Sequence, residues 1–148
     1  MSEKTYFANQ FIPGKNLNRH NNSIIKTNRR LQIKDLDVLP IIDRSLVNYD
    51  KYTCHIGQAE AKYTMAVQAT KGCPYECIYC DIQPKIHYRR SVENIFEEVK
   101  ILHDIGVKRI VIIDDIFNVH IQHCKSFFQL VLKNKLDLQF FFPNGLKG

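Results

Sequence analysis

Three cysteines carry the most specific chemistry in this sequence: Cys73, Cys77 and Cys80, at C-x3-C-x2-C spacing in the run Cys-Pro-Tyr-Glu-Cys-Ile-Tyr-Cys. A stretch this short can fold back on itself and aim three thiolates at one point. Three thiolates suit a soft metal or an iron–sulfur cluster, and leave one coordination position open unless another side chain fills it. Zinc would want a fourth protein ligand, which His87 or His55 could supply. Cys54 and Cys124 belong to no motif, and Cys124 falls on the apolar face of a predicted helix as a small core residue. A second chemical feature is the pair Asp114-Asp115, which follows the apolar run Ile110-Val-Ile-Ile113 directly. A carboxylate there could receive an ammonium through a charge-assisted hydrogen bond. It could equally open a helix, whose N-terminal end favours acids.

A β/α pattern positions these groups. Tyr63 to Thr70 alternates as a strand running into the cysteine loop. Ser91 then stands as an N-cap before Val92, Ile95, Phe96, Val99 and Leu102, which share one helix face, and Gly106 suits the left-handed end. Lys108 to Asp115 reads as a buried parallel strand. Cys124, Phe127, Phe128 and Val131 repeat at helical spacing within Asn118 to Asn134. Leu138 to Phe142 reads as a third strand, closed by Pro143-Asn144-Gly145. Strand, loop, helix, strand, helix, strand predicts an α/β fold with a parallel sheet and right-handed crossovers. The cysteines, the aspartates and Asn144 all follow strands, at the end where barrels of this kind carry their chemistry.

The rest of the composition narrows the class. With 148 residues, 45% of them hydrophobic, the chain can form one domain with a core. Its apolar runs are too short to span a bilayer, and no secretory leader is evident. Clustered cysteines point to a reducing compartment, with the cytoplasm as the default. The net charge of +6 is spread over Arg19, Lys26, Arg29, Arg30, Lys85, Arg89 and Arg90, which favours a solvated surface over a nucleic-acid partner. His120 and His123 are expected on a solvated helix face. Residues 1–62 read as an irregular leader and connector, Asn-rich at first and interrupted by Pro40, and residues 63–148 as the β/α part.

The cysteine spacing, with aromatic Tyr79 before the last cysteine, resembles the cluster motif of the radical S-adenosylmethionine (SAM) superfamily. The resemblance implies the N-terminal half of a partial (β/α)6 TIM-like barrel. It implies a 4Fe-4S cluster held by Cys73, Cys77 and Cys80, whose fourth iron chelates SAM for reductive cleavage and radical chemistry on a further substrate. By the same resemblance Tyr79 flanks the SAM adenine. One of Asp114 and Asp115 receives its amino group, where many members carry Gly-Gly-Glu. An electron donor such as flavodoxin or ferredoxin is implied as a partner. Asp114-Asp-Ile-Phe117 and the connector Leu36-Asp-Val-Leu-Pro-Ile-Ile-Asp43 resemble the cobalamin-dependent members, although no D-x-H-x-x-G cobalamin signature occurs. Tyr88-Arg-Arg-Ser91 resembles the basic stretch after the cysteines in that group, or is a solvated charge run. The likeness covers roughly residues 31–148 and about half the barrel. The expectation is therefore a fragment with sticky sheet edges that is not a competent catalyst alone. The alternatives are a non-catalytic Cys3His zinc module and an inactive remnant.

Overall fold

The computed structural model describes residues 32–48, 51, 64–82 and 85–148, with the backbone of two further short strands. Its contacts divide the chain into Met1–Lys34 and Asp35–Gly148. In the first unit, β1 (Asn18–His20) pairs antiparallel with β2 (Ser23–Ile25). Three-residue strands in a polar, Asn-rich stretch carry no alternation, so the sequence gives an irregular leader where this ladder forms.

The second unit holds β3 (Thr64–Val67), β4 (Thr70–Lys71), β5 (Tyr88–Arg89), α1 (Val92–Asp104), β6 (Arg109–Ile112), α2 (Ile121–Lys133) and β7 (Gln139–Phe141). It is a mixed α/β structure in which β3, β6 and β7, in that order, form a parallel three-stranded sheet. Met65 is in register with Ile110, and Ile110 with Phe140. One sheet face carries Met65, Val67, Ile110 and Ile112 into a common core with Ile95, Val99 and Leu102 of α1 and Phe127 and Val131 of α2. Phe127 is fully buried and meets Phe140 edge-on at 5.7 Å, an arrangement that adds to its area burial. The alternating residues Ala66, Val111 and Phe141 share the opposite face.

Local signals fix the helix ends. The Ser91 hydroxyl accepts from the Asn94 N–H at 3.2 Å, and Gly106 takes φ 93° just past α1. The connector also anchors this end, because both oxygens of Asp37 accept the Ser91 N–H, at 2.9 and 3.1 Å.

The expected strand from Tyr63 to Thr70 is broken. β3 stops at Val67, and β4 leaves the sheet to pair antiparallel with β5. The break has a cause at Ala69, whose N–H donates to Asp114 and whose carbonyl accepts from Arg90 N–H. Both backbone groups are thereby satisfied outside the ladder.

A buried charge cluster locks the same junction. Glu98 on α1 is 4% exposed and binds Arg44 through one oxygen and Arg90 through the other. Arg44, in a 3-10 turn at Arg44–Leu46, also donates to the Ala66 carbonyl, and Arg90 to the Gln68 carbonyl. The solvated charge run expected around Arg90 is corrected here: Arg90 is an internal tie, while Arg89 faces solvent. No helix among the described residues is long and apolar enough to cross a membrane.

Candidate functional site

The cysteine loop is closed at its base. Thr70 pairs with Arg89 and Lys71 with Tyr88, so the chain between them leaves and returns through a two-stranded ladder. Gly72 begins the loop at φ 88°, a left-handed conformation that glycine adopts without strain. Cys73 and Cys80 are half-buried and Cys77 is exposed, all as free thiols, and the Cys80 N–H closes a turn on the Cys77 carbonyl at 3.0 Å. Ile78 and Tyr79 stand fully in solvent at the loop tip. Lys85 donates to the Tyr75 carbonyl at 3.3 Å, tying the loop's two limbs.

The end of β6 meets this loop. Asp114 is 2% exposed; one oxygen accepts the Ala69 N–H at 2.8 Å and the other the Thr70 hydroxyl at 2.7 Å. Burial raises the Asp114 pKa above the usual carboxylate value, against the lowering effect of these hydrogen bonds. Asp115 is half-buried and accepts the Gly72 N–H at 3.0 Å; its second oxygen has no hydrogen bond among the described residues. The adjacent carboxylates are thus unlike: Asp114 is internally satisfied, and Asp115 keeps an acceptor open.

Asn144 joins them through its backbone neighbours, its side-chain amide donating to the Asp114 carbonyl at 2.8 Å. Beyond it, Lys147 and Asn118 exchange two hydrogen bonds, at 2.7 and 2.8 Å, and the Lys147 ammonium lies 5.8 Å from the Tyr75 ring. The ends of β6 and β7 and the cysteine loop are therefore one connected region.

Three histidines flank it. His87 Nε2 is 3.0 Å from the Ile116 carbonyl and His123 Nε2 is 2.9 Å from the Arg90 carbonyl, with both Nδ1 atoms buried and unpartnered. His87 and His120 rings lie 5.4 Å apart. Burial lowers the pKa of both, and Arg89 adds to the effect. The expectation of a solvated face for His120 and His123 is corrected for His123, which reaches across to the residue after β5. No sequence spacing links these groups, because they come from two segments that only the fold brings together.

Among the described residues no group of three or more His, Cys, Asp or Glu side chains is gathered so as to hold a metal ion. His87 Nε2 is engaged with the Ile116 carbonyl, and its Nδ1 is buried without a hydrogen-bond partner. His55 lies outside the described residues. Cys124 donates to the Phe117 carbonyl at 3.4 Å inside the core, and burial raises its pKa, as suits an inert thiol.

No protein-family model matches the sequence. Over 92 residues, 60% of this chain, it is 33% identical to an uncharacterized methyltransferase of Pyrococcus horikoshii. That stretch is 19% of the relative, so the chain spans about a fifth of the length of the curated protein it matches.

Proposed function

We propose that residues 63–148 form part of a radical SAM core, with the parallel sheet as the first strands of a partial TIM-like barrel. The observation that carries this reading is the position of the C-x3-C-x2-C loop. It leaves the C-terminal side of the first strand of a parallel sheet and is tied to the carboxylates that end the next. The donor set fits an iron–sulfur cluster: three free thiols on one loop, none of them fully buried and, among the described residues, none hydrogen-bonded to a histidine. A cluster takes one thiolate per iron, so the sulfurs need not meet at a single ion. Single-ion zinc would ask for that convergence and for a fourth ligand.

Cys73, Cys77 and Cys80 would hold the 4Fe-4S cluster. The chemistry such a cluster supplies when bound is one-electron reduction of the SAM sulfonium, and with it radical chemistry on an organic substrate. The chain's own contribution is binding, orientation and exclusion of water. The open oxygen of Asp115 is placed to accept from an ammonium, and a charged pair of this kind is stronger than a neutral hydrogen bond. Asp114 has no oxygen to spare for that role. The apolar face made by Ala66, Val111 and Phe141 would shield a ligand from water. Tyr79, exposed at the loop tip, can contribute at the adenine through its backbone.

The relative's name as a methyltransferase supports SAM as the ligand, since SAM is the common methyl donor. Equilibrium binding of SAM to anaerobically reconstituted protein tests the reading. Binding that depends on Cys73, Cys77 and Cys80 supports it, and SAM raises the unfolding temperature because it binds the native state. Binding indifferent to all three cysteines refutes it.

A further inference from the structure

The segment 66–72, which leads from the sheet into the cysteine loop, is held from two sides by groups of opposite charge. Its carbonyls at Ala66 and Gln68 accept from Arg44 and Arg90, the two arginines joined by Glu98. Its donors at Ala69, Thr70 and Gly72 are taken by Asp114 and Asp115. Both sides of this clamp are built on buried carboxylates, and they reach the segment through its backbone at Ala66, Gln68, Ala69 and Gly72 and through the Thr70 hydroxyl. Asp114 is the member with both oxygens committed and almost no surface.

From this we infer that Asp114 is a positioning residue for the cysteine loop: through the Ala69 N–H and the Thr70 hydroxyl it sets where Cys73 begins. This rests on the proposed reading only for why the cysteines matter. The placement makes a distinction that a ligand-binding carboxylate would not. An Asn side chain can keep the arrangement without charge. Its carbonyl oxygen accepts from Ala69, its amide donates to the Thr70 oxygen, and the Thr70 hydroxyl turns to the Ile116 carbonyl, already 3.3 Å away. A residue that met a ligand ammonium through its charge would lose the ionic part of that contact in Asn as well as in Ala.

The test is cysteine-resolved alkylation by iodoacetamide in reduced, metal-free protein, read by peptide mass spectrometry. In the wild type Cys77 reacts faster than half-buried Cys73, and buried Cys124 is slow. Asp114→Ala raises the Cys73 rate several-fold with Cys124 still slow, Asp114→Asn leaves it at the wild-type rate, and Thr70→Val shifts it in the direction of Ala. If Asp114→Ala also exposes Cys124, the fold has been lost and Thr70→Val decides. An unchanged Cys73 rate in Asp114→Ala or, where that variant unfolds, in Thr70→Val overturns the inference. So does an Asn variant that behaves as Ala. SAM binding to reconstituted Asp114→Asn stays at wild-type strength; its loss there, with wild-type alkylation, would make Asp114 a ligand residue and also overturn the inference. If the wild type binds no SAM, the proposed function fails while the alkylation result stands.

Discussion

The backbone N–H of Gly72 points at the carboxylate of Asp115, 3.0 Å away, so the residue before the first cysteine is fixed by a residue just past the next strand. Gly72 sits at φ 88°, where a Cβ is strained. Gly72→Ala is expected to cost on the order of 1–2 kcal/mol, the left-handed penalty of an L residue. Urea unfolding measures it, and a cost near zero would mean that the turn relaxes freely.

Glu98 is the keystone of the charge cluster, because its loss leaves Arg44 and Arg90 buried without a counter-charge. Glu98→Ala should destabilise by about 3–5 kcal/mol, the range for breaking a buried ion pair from one side. Chemical denaturation checks it, and the exposed pair Lys100–Asp104 serves as the control whose removal leaves stability nearly unchanged.

Core and surface on α2 separate cleanly. Phe127 is fully buried and Leu132 is 76% exposed. Phe127→Ala should cost about 3–5 kcal/mol and Leu132→Ala less than about 0.5 kcal/mol. Thermal melts of the two variants make the comparison, and equal losses would contradict the assigned core.

The pH dependence has two opposed parts. Burial lowers the pKa of His87 and His120 from their ordinary 6.5, so the unfolded chain binds more protons, and stability falls as pH drops from 6.5 through their folded values. The charged and titratable groups facing them are Arg89, His123 and Asp115. Asp114 is raised from 3.8, so its contribution is full below 3.8 and is lost as pH rises through its folded value. Replacing both histidines by Gln should flatten the first slope, and Asp114→Asn the second. Denaturation profiles across pH that keep their wild-type slopes would refute the assignment.

Much of the scaffold was legible because its signals are local. Ser91 and Gly106 mark the ends of α1 by their chemistry, and Phe127 and Val131 declare a helix face by spacing. Alternation marks the strands but overstates their length, since Ala69 and Thr70 continue the alternation of β3 while Asp114 and Arg90 draw them out of the sheet. The β4–β5 ladder joins residues seventeen or more positions apart in sequence and two residues long, with no period to read. Arg90 looked like surface charge because composition cannot show that Glu98, on the next helix, would bury it. Asp114 and Asp115 are identical in type, and only depth tells the satisfied carboxylate from the open one. The histidines form a group that no spacing shows, for the same reason: His87 and His120 become neighbours only through the fold.

Iron and sulfide content after anaerobic reconstitution tests the central claim most directly. The expected result is a brown protein with about four irons and four sulfides per chain. Cys73→Ala, Cys77→Ala and Cys80→Ala should each abolish that content, and Cys124→Ala, whose thiol donates to Phe117 in the core, should leave it intact. A colourless protein carrying stoichiometric zinc, or iron content indifferent to the three loop cysteines, would contradict it.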